Sequence, residues 1–373
     1  MRIRWILLCV VSMVLAGCNS TPPATSPPSP SSRSYHGSAS VGDFLSITID
    51  PSALTIAYSD VSNGESGTVP YTVNSNGTYT LNDPAGNLIS AYEVPNYAML
   101  IQAAKAGPSQ NTPALVTAVE SAQISLSTFE GQAYNHMQFR TSSGGVSIGS
   151  VSITAQGAAT TSSYWPYGAL SASNGGQSAF NSSSFDLSQA QLDSSGTFLK
   201  MADPGGSGNY DYIFGTANGV FAVDNPNGTI FGLQKAASKN FDASFAGTYT
   251  AMYYQKINAS TGNNNTETGT PSLGSATIVV SSSGQITITD SSGNQMAQGT
   301  LSAVADTSYL YGTAGELQDP CWGLFTVRIT TGSSQQDVFV SFLNSSMLFS
   351  SFSANVPWSQ GGTYNYFYGV GLK

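Results

Sequence analysis

Charge is scarce in this chain of 373 residues: Asp, Glu, Lys and Arg make up 8% of it, against about a quarter in an ordinary soluble protein. Basic residues are the scarcer sign, 11 against 20 acidic ones. A chain so poor in Lys and Arg lacks the basic stripe that neutralises phosphates, which excludes nucleic acid as a partner. Histidine occurs twice, at His36 near the N-terminal end and at His136 in a strand-like run. Neither has a neighbour at metal-ligand spacing, so no metal site and no cofactor are expected. Cysteine occurs three times. Cys9 and Cys18 fall in the N-terminal segment, which leaves Cys321 without an intramolecular partner and the fold without a disulfide framework. Cys321 then reads as a buried apolar thiol, with a reactive or intermolecular cysteine as the alternative.

Motifs of catalysis are equally thin. No Lys has Ser three residues before it, and no Gly-x-x-x-x-Gly-Lys loop is present. Gly145-Val146-Ser147-Ile148-Gly149 has the letters of a nucleophile elbow, but Val146, Ile148, Val151 and Ile153 alternate as a strand and no His follows His136. Asp83, Asp203, Asp224 and Asp290 stand in turn-like contexts. They read as structural turn residues, not as the paired carboxylates of a glycosidase or as calcium ligands, whose alternating oxygen spacing is missing. The expectation is therefore a protein that is not an enzyme.

What is present begins at the N-terminus. Arg2 and Arg4 precede an apolar run from Trp5 to Leu15, too short for a permanent membrane helix of about 20 residues but suited to a signal peptide. Leu15-Ala16-Gly17-Cys18 follows. This segment resembles the lipobox of bacterial lipoproteins, and the resemblance implies cleavage before Cys18 and a diacylglycerol on its thiol. Such an anchor holds because each buried CH₂ of several chains adds about 0.8 kcal/mol. Asn19 replaces the Asp that retains such proteins at the inner membrane, so the resemblance implies an outer-membrane address in the cell envelope, periplasmic or surface-exposed. Removal of residues 1–17 takes Arg2 and Arg4 with it and leaves a net charge near −11. Residues 18–40 open with a Pro/Ser/Thr stretch to Ser34, read as a disordered tether.

The remainder repeats itself. Gly77-Thr78-Tyr79-Thr80-Leu81-Asn82-Asp83-Pro84-Ala85-Gly86-Asn87 matches Gly284-Gln285-Ile286-Thr287-Ile288-Thr289-Asp290-Ser291-Ser292-Gly293-Asn294, and Gly196 to Gly206 gives a third copy with one extra residue before Asp203. Alternating apolar residues followed by Asp and a Gly three positions on predict a strand closed by a type I turn. Openings at Gly42, Phe129-Glu130-Gly131 and Phe245-Ala246-Gly247, a shared Tyr212–Ala217 and Tyr309–Ala314 block, and closing apolar hairpins complete the pattern. The hairpins are Ala98–Ile101 with Ala114–Thr117, Val220–Val223 with Ile230–Leu233, and Val338–Ser341 with Met347–Phe349. Residues 95–107 also fit a helix, with Pro95 at its start and Gly107-Pro108 after it; the repeat favours strands. The fold class expected is all-β, with three related antiparallel modules, small barrels or sandwiches, at 41–125, 126–240 (carrying an insertion) and 241–373.

Aromatics are the remaining lead. Tyr364, Tyr366 and Tyr368 alternate, so a strand puts them on one face, and Trp165 lies in the insertion. An exposed face of this kind would contact a glycan or another envelope protein. The function these readings favour is a lipid-anchored envelope protein with a binding or surface-structural role. The alternatives are a glycan hydrolase with paired carboxylates and a carrier of a small hydrophobic molecule.

Overall fold

The computed structural model describes residues 31–106, 112–141, 146–164, 180–203, 208–226, 228–259, 268–303, 322–331, 334–354 and 364–373. These residues form an all-β molecule of three antiparallel sheets. The first contains β1 (Arg33–Ala39), β2 (Asp43–Asp50), β3 (Thr55–Asp60), β4 (Glu65–Val73), β5 (Tyr79–Leu81), β6 (Leu88–Val94), β7 (Ala98–Ala106) and β8 (Thr112–Glu120). Each strand pairs with the next, and β8 returns to β1 to close a barrel.

The second sheet contains β9 (Ala133–Phe139), β10 (Val146–Ile153), β11 (Ala158–Tyr164), β12 (Phe180–Asp186), β13 (Gln191–Leu192), β14 (Leu199–Ala202), β15 (Tyr210–Thr216), β16 (Val220–Asn225) and β17 (Gly228–Gln234). It follows the same meander and its last strand also returns to its first, but β12 and β13 are its two edges, so it stays open. The third contains β18 (Gly247–Ala259), β19 (Thr270–Val280), β20 (Gln285–Thr289), β21 (Gln295–Ala303), β22 (Leu324–Thr331), β23 (Ser334–Leu343), β24 (Ser346–Ala354) and β25 (Tyr364–Leu372), closed by pairing of β18 with β25.

Local chemistry accounts for the turns. Gly77, Gly196 and Gly284 all have φ between +73° and +81°, a conformation open to glycine without the Cβ penalty. Each donates its N–H to the carbonyl three residues back, in Asn74, Asp193 and Ser281. The aspartates that follow act as turn residues. Asp83 accepts the N–H groups of Ala85, Asn87 and Leu88 at 2.8–2.9 Å, and Asp290 accepts those of Ser292 and Asn294 at 2.8 Å.

Burial on both faces of the strands organises the molecule. Each sheet has an interior cluster: Met99, Ile101 and Val116 in the first, Phe129, Ile213 and Phe221 in the second, and Phe325, Val340 and Phe349 in the third. The alternate residues of the same strands point outward and meet in one further cluster built from all three sheets, including Leu100 and Leu115, Met137 and Phe231, and Leu348 and Val370. Strands buried on both faces read as continuous apolar runs instead of alternating ones, which is why Ala98–Ile101 resembles a helix in sequence. It lies in β7, laddered to β6 and β8.

Polar bonds cross each junction. Gln102 donates to the Gly274 carbonyl at 2.7 Å, Tyr97 donates to Ser346 Oγ at 2.9 Å, and Asn135 donates to the Trp322 carbonyl at 2.8 Å. The Ile124 N–H reaches the Gly196 carbonyl and the Thr141 N–H reaches that of Ser40.

One boundary moves. Residues 33–39, assigned from composition to the tether, are β1, paired with β2 on one side and β8 on the other. The partners of β1 lie far off in sequence, so the local Ser-rich composition carries no trace of them. Inside the barrel Arg33 makes a two-bonded ion pair with Glu93 at 2.7 Å, and Glu93 also accepts from Tyr35 at 2.5 Å and Tyr79 at 3.0 Å. Four donated hydrogen bonds offset the cost of burying that carboxylate.

Candidate functional site

The two closed barrels have the same number of strands and different interiors. The first is filled at one end by the Arg33–Glu93–Tyr35–Tyr79 group, and it holds a recess of about 70 Å³ whose lining includes Asp43, Asp60, Glu65 and Lys105. The third holds a cavity of about 200 Å³ at the end where β18 leaves and β19 enters the barrel.

That cavity is built from inward positions of all its strands. Ile278, Ile286, Ile329 and Val338 form much of the wall, Met347, Phe349 and Phe367 close it laterally, and Tyr253, Gln255 and Gln336 supply the polar groups. Among the described residues, none of the side chains lining it is charged. The opposite end of the barrel is stoppered by aromatic rings: Phe342 lies 5.4 Å from Phe245, 5.8 Å from Phe241 and 5.9 Å from Phe325, centroid to centroid. Tyr249 donates to the Phe245 carbonyl at 2.6 Å and pins that stopper.

Two glycines keep the cavity hollow by taking large side chains against the wall. A Cβ on Gly274 would sit 2.3 Å from the ring of Tyr253, and one on Gly369 would sit 2.4 Å from that of Phe349. Both distances are far inside contact, so the rings lie flat over backbone where any other residue would push them inward. This signal is present in the sequence only as isolated glycines within strands, a weak mark of close approach.

The residues singled out from the sequence fall elsewhere. Tyr366 and Tyr368 are 1% and 0% exposed, so they form no exposed platform. They do share a face of β25, but that face points into the cluster common to the three sheets. Tyr368 stacks on Phe139 at 4.8 Å and on Tyr254 at 5.1 Å. Tyr364 opens β25, while Cys18, Trp165 and Cys321 lie outside the described residues. Ser147 is fully buried within β10 and its hydroxyl reaches Gln138 Oε1 at 3.1 Å, which places it in mid-strand instead of at an elbow.

The two histidines are structural in their surroundings. His36, expected in the tether, sits in β1 between the first and second sheets. Its Nε2 lies 2.7 Å from Thr197 Oγ1 and 3.0 Å from Ser121 Oγ, and its ring stacks on Phe44 at 5.4 Å. Burial pushes its pKa down to about 4, and the same cause does so for the fully buried His136.

Asp224, read as a turn residue, is instead buried at the end of β16, where Ser38 of the first barrel donates to its carboxylate. Burial, and after it the nearby Asp43, Asp60 and Asp211, raise its pKa well above the ordinary value. Among the described residues no group of three His, Cys, Asp or Glu side chains comes close enough to hold a metal ion.

No protein-family model matches the chain, and no curated protein matches it either. Among solved structures, the crystal structure of a point mutant of transferrin binding protein B from Haemophilus parasuis Hp5, described as a vaccine antigen, aligns with 92% of this chain and 76% of its own. The alignment has 8% identity and a TM-score of 0.28, values at which the likeness bears on neither function nor site.

Proposed function

We propose that the chain is a lipid-anchored protein of the cell envelope whose body binds and does not catalyse. The observation that carries the binding half is the cavity of the third barrel, about 200 Å³ and lined among the described residues by uncharged side chains, against a recess of about 70 Å³ in the first barrel. Wetted apolar surface inside a closed barrel is unfavourable, and an occupant removes that cost. A preformed recess with a few polar groups in an apolar wall is the ordinary form of a small-molecule site.

The anchor half rests on Arg2, Arg4, the apolar run and Leu15-Ala16-Gly17-Cys18, with the outer membrane as the address suggested by Asn19. The tether of this reading ends before Arg33, where β1 begins. Repetition of one barrel module belongs to the same reading. It is supported by the common meander of the three sheets and the matching turns at Gly77, Gly196 and Gly284.

One experiment tests both halves. The full chain, expressed in a two-membrane bacterium supplied with labelled fatty acid, should carry label and sediment with outer membrane, and Cys18→Ser should do neither. The body from residue 19 onward, made without lipid, should gain thermal stability from apolar small molecules by mass action. It should leave peptidoglycan and polysaccharide unchanged. Turnover of either polymer would contradict the binding reading, and labelling of Cys18→Ser would contradict the anchor.

A further inference from the structure

We infer that the third barrel takes one small, uncharged, mostly apolar molecule carrying a single hydroxyl or carbonyl group, which meets the amides of Gln255 and Gln336. The inference rests on the binding reading above and adds the class of ligand.

Size sets the first limit. The cavity of about 200 Å³ is somewhat larger than the engineered apolar cavity of about 150 Å³ that binds benzene. It therefore accommodates one ring or a short aliphatic chain. The stopper of Phe241, Phe245, Phe325 and Phe342 closes the far end, so a long acyl chain has no way through the barrel.

Charge sets the second limit. Among the described residues no charged side chain lines the cavity, and a carboxylate or ammonium entering it would lose hydration with none of these side chains to pair with. Gln255 and Gln336 offer an amide N–H and a carbonyl oxygen each, and Gln255 is held by its hydrogen bond to Ser272 Oγ at 3.0 Å. An amide can serve an alcohol, an aldehyde or a ketone equally. Shape sets the third: Gly274 and Gly369 hold the rings of Tyr253 and Phe349 flat against the wall, leaving the centre of the barrel for a flat or slender guest.

The test uses the mature chain from residue 19 onward, free of lipid and detergent, titrated calorimetrically at pH 7 with 1-hexanol, benzyl alcohol and hexanoate. The two alcohols should bind with one site per chain, and hexanoate at least tenfold more weakly. Ala297→Leu, which fills the cavity from its wall, should weaken both alcohols tenfold or more without lowering the melting temperature. Gln336→Leu, at the polar end, serves if that variant does not fold, and should weaken the alcohols while leaving toluene unaffected. Equal binding of hexanoate, lost in Ala297→Leu, would overturn the uncharged class and leave the binding reading standing. Absence of any binding, or binding indifferent to both substitutions, would overturn both.

Discussion

At the scale of residues, buried titratable groups link the sheets and make stability depend on pH. His36 and His136 titrate near 4 in the folded chain against 6.5 ordinarily. The unfolded chain thus binds the proton first. Their contribution is complete above pH 6.5 and lost as the pH falls toward 4. Asp224 has the opposite sign: its raised value favours the folded chain at low pH, and that contribution is lost as the pH rises through the shifted value. Each group changes the slope by at most about 1.4 kcal/mol per pH unit. His36→Gln keeps a hydrogen-bonding side chain and removes the titration. Melting curves between pH 4 and 8 should show an acid limb shallower by one proton's slope; an unchanged limb would contradict a neutral buried His36. The turn roles of Asp83 and Asp290 were legible in sequence because their partners lie within five residues. The role of Asp224 was not, because Ser38 stands 186 residues away.

At the scale of elements, a strand buried on both faces does two jobs. The period of two correctly puts Tyr366 and Tyr368 together on one face of β25. It could not say that the opposite face, with Phe367, also packs inward, or that the tyrosine face meets another sheet. Tyr368→Ala should therefore cost about 3–5 kcal/mol, the range for emptying a large buried aromatic site. Tyr210→Ala should cost under about 1 kcal/mol, since Tyr210 is 46% exposed and what it loses is a contact with Lys200 over its ring. Denaturant titrations of the two variants decide this, and equal costs would contradict the placement of β25. The strand β1 offers a second test. A chain starting at residue 31 keeps the strand that joins β2 to β8, whereas one starting at residue 41 lacks it. The longer chain should melt cooperatively and the shorter should not; matching transitions would return residues 33–39 to the tether.

At the scale of the whole molecule, the all-β class was legible from alternation, turn chemistry and repeated blocks, each of which is local. The cluster that unites the sheets was not, because its members are spread from Phe44 to Leu372 and no single strand shows which neighbour covers its outer face. The cavity of the third barrel was hidden for a related reason: glycines and large apolar residues mark a tight core and a hollow one alike until the strands are placed. The shared cluster makes the three sheets one body and holds the third barrel and its cavity fixed against the rest. Chains of this length with separable domains unfold in several steps. Differential scanning calorimetry of the chain from residue 31 onward shows whether the three sheets unfold as one body. One transition, with equal calorimetric and van't Hoff enthalpies, is the predicted result; resolved transitions for separate barrels would contradict it.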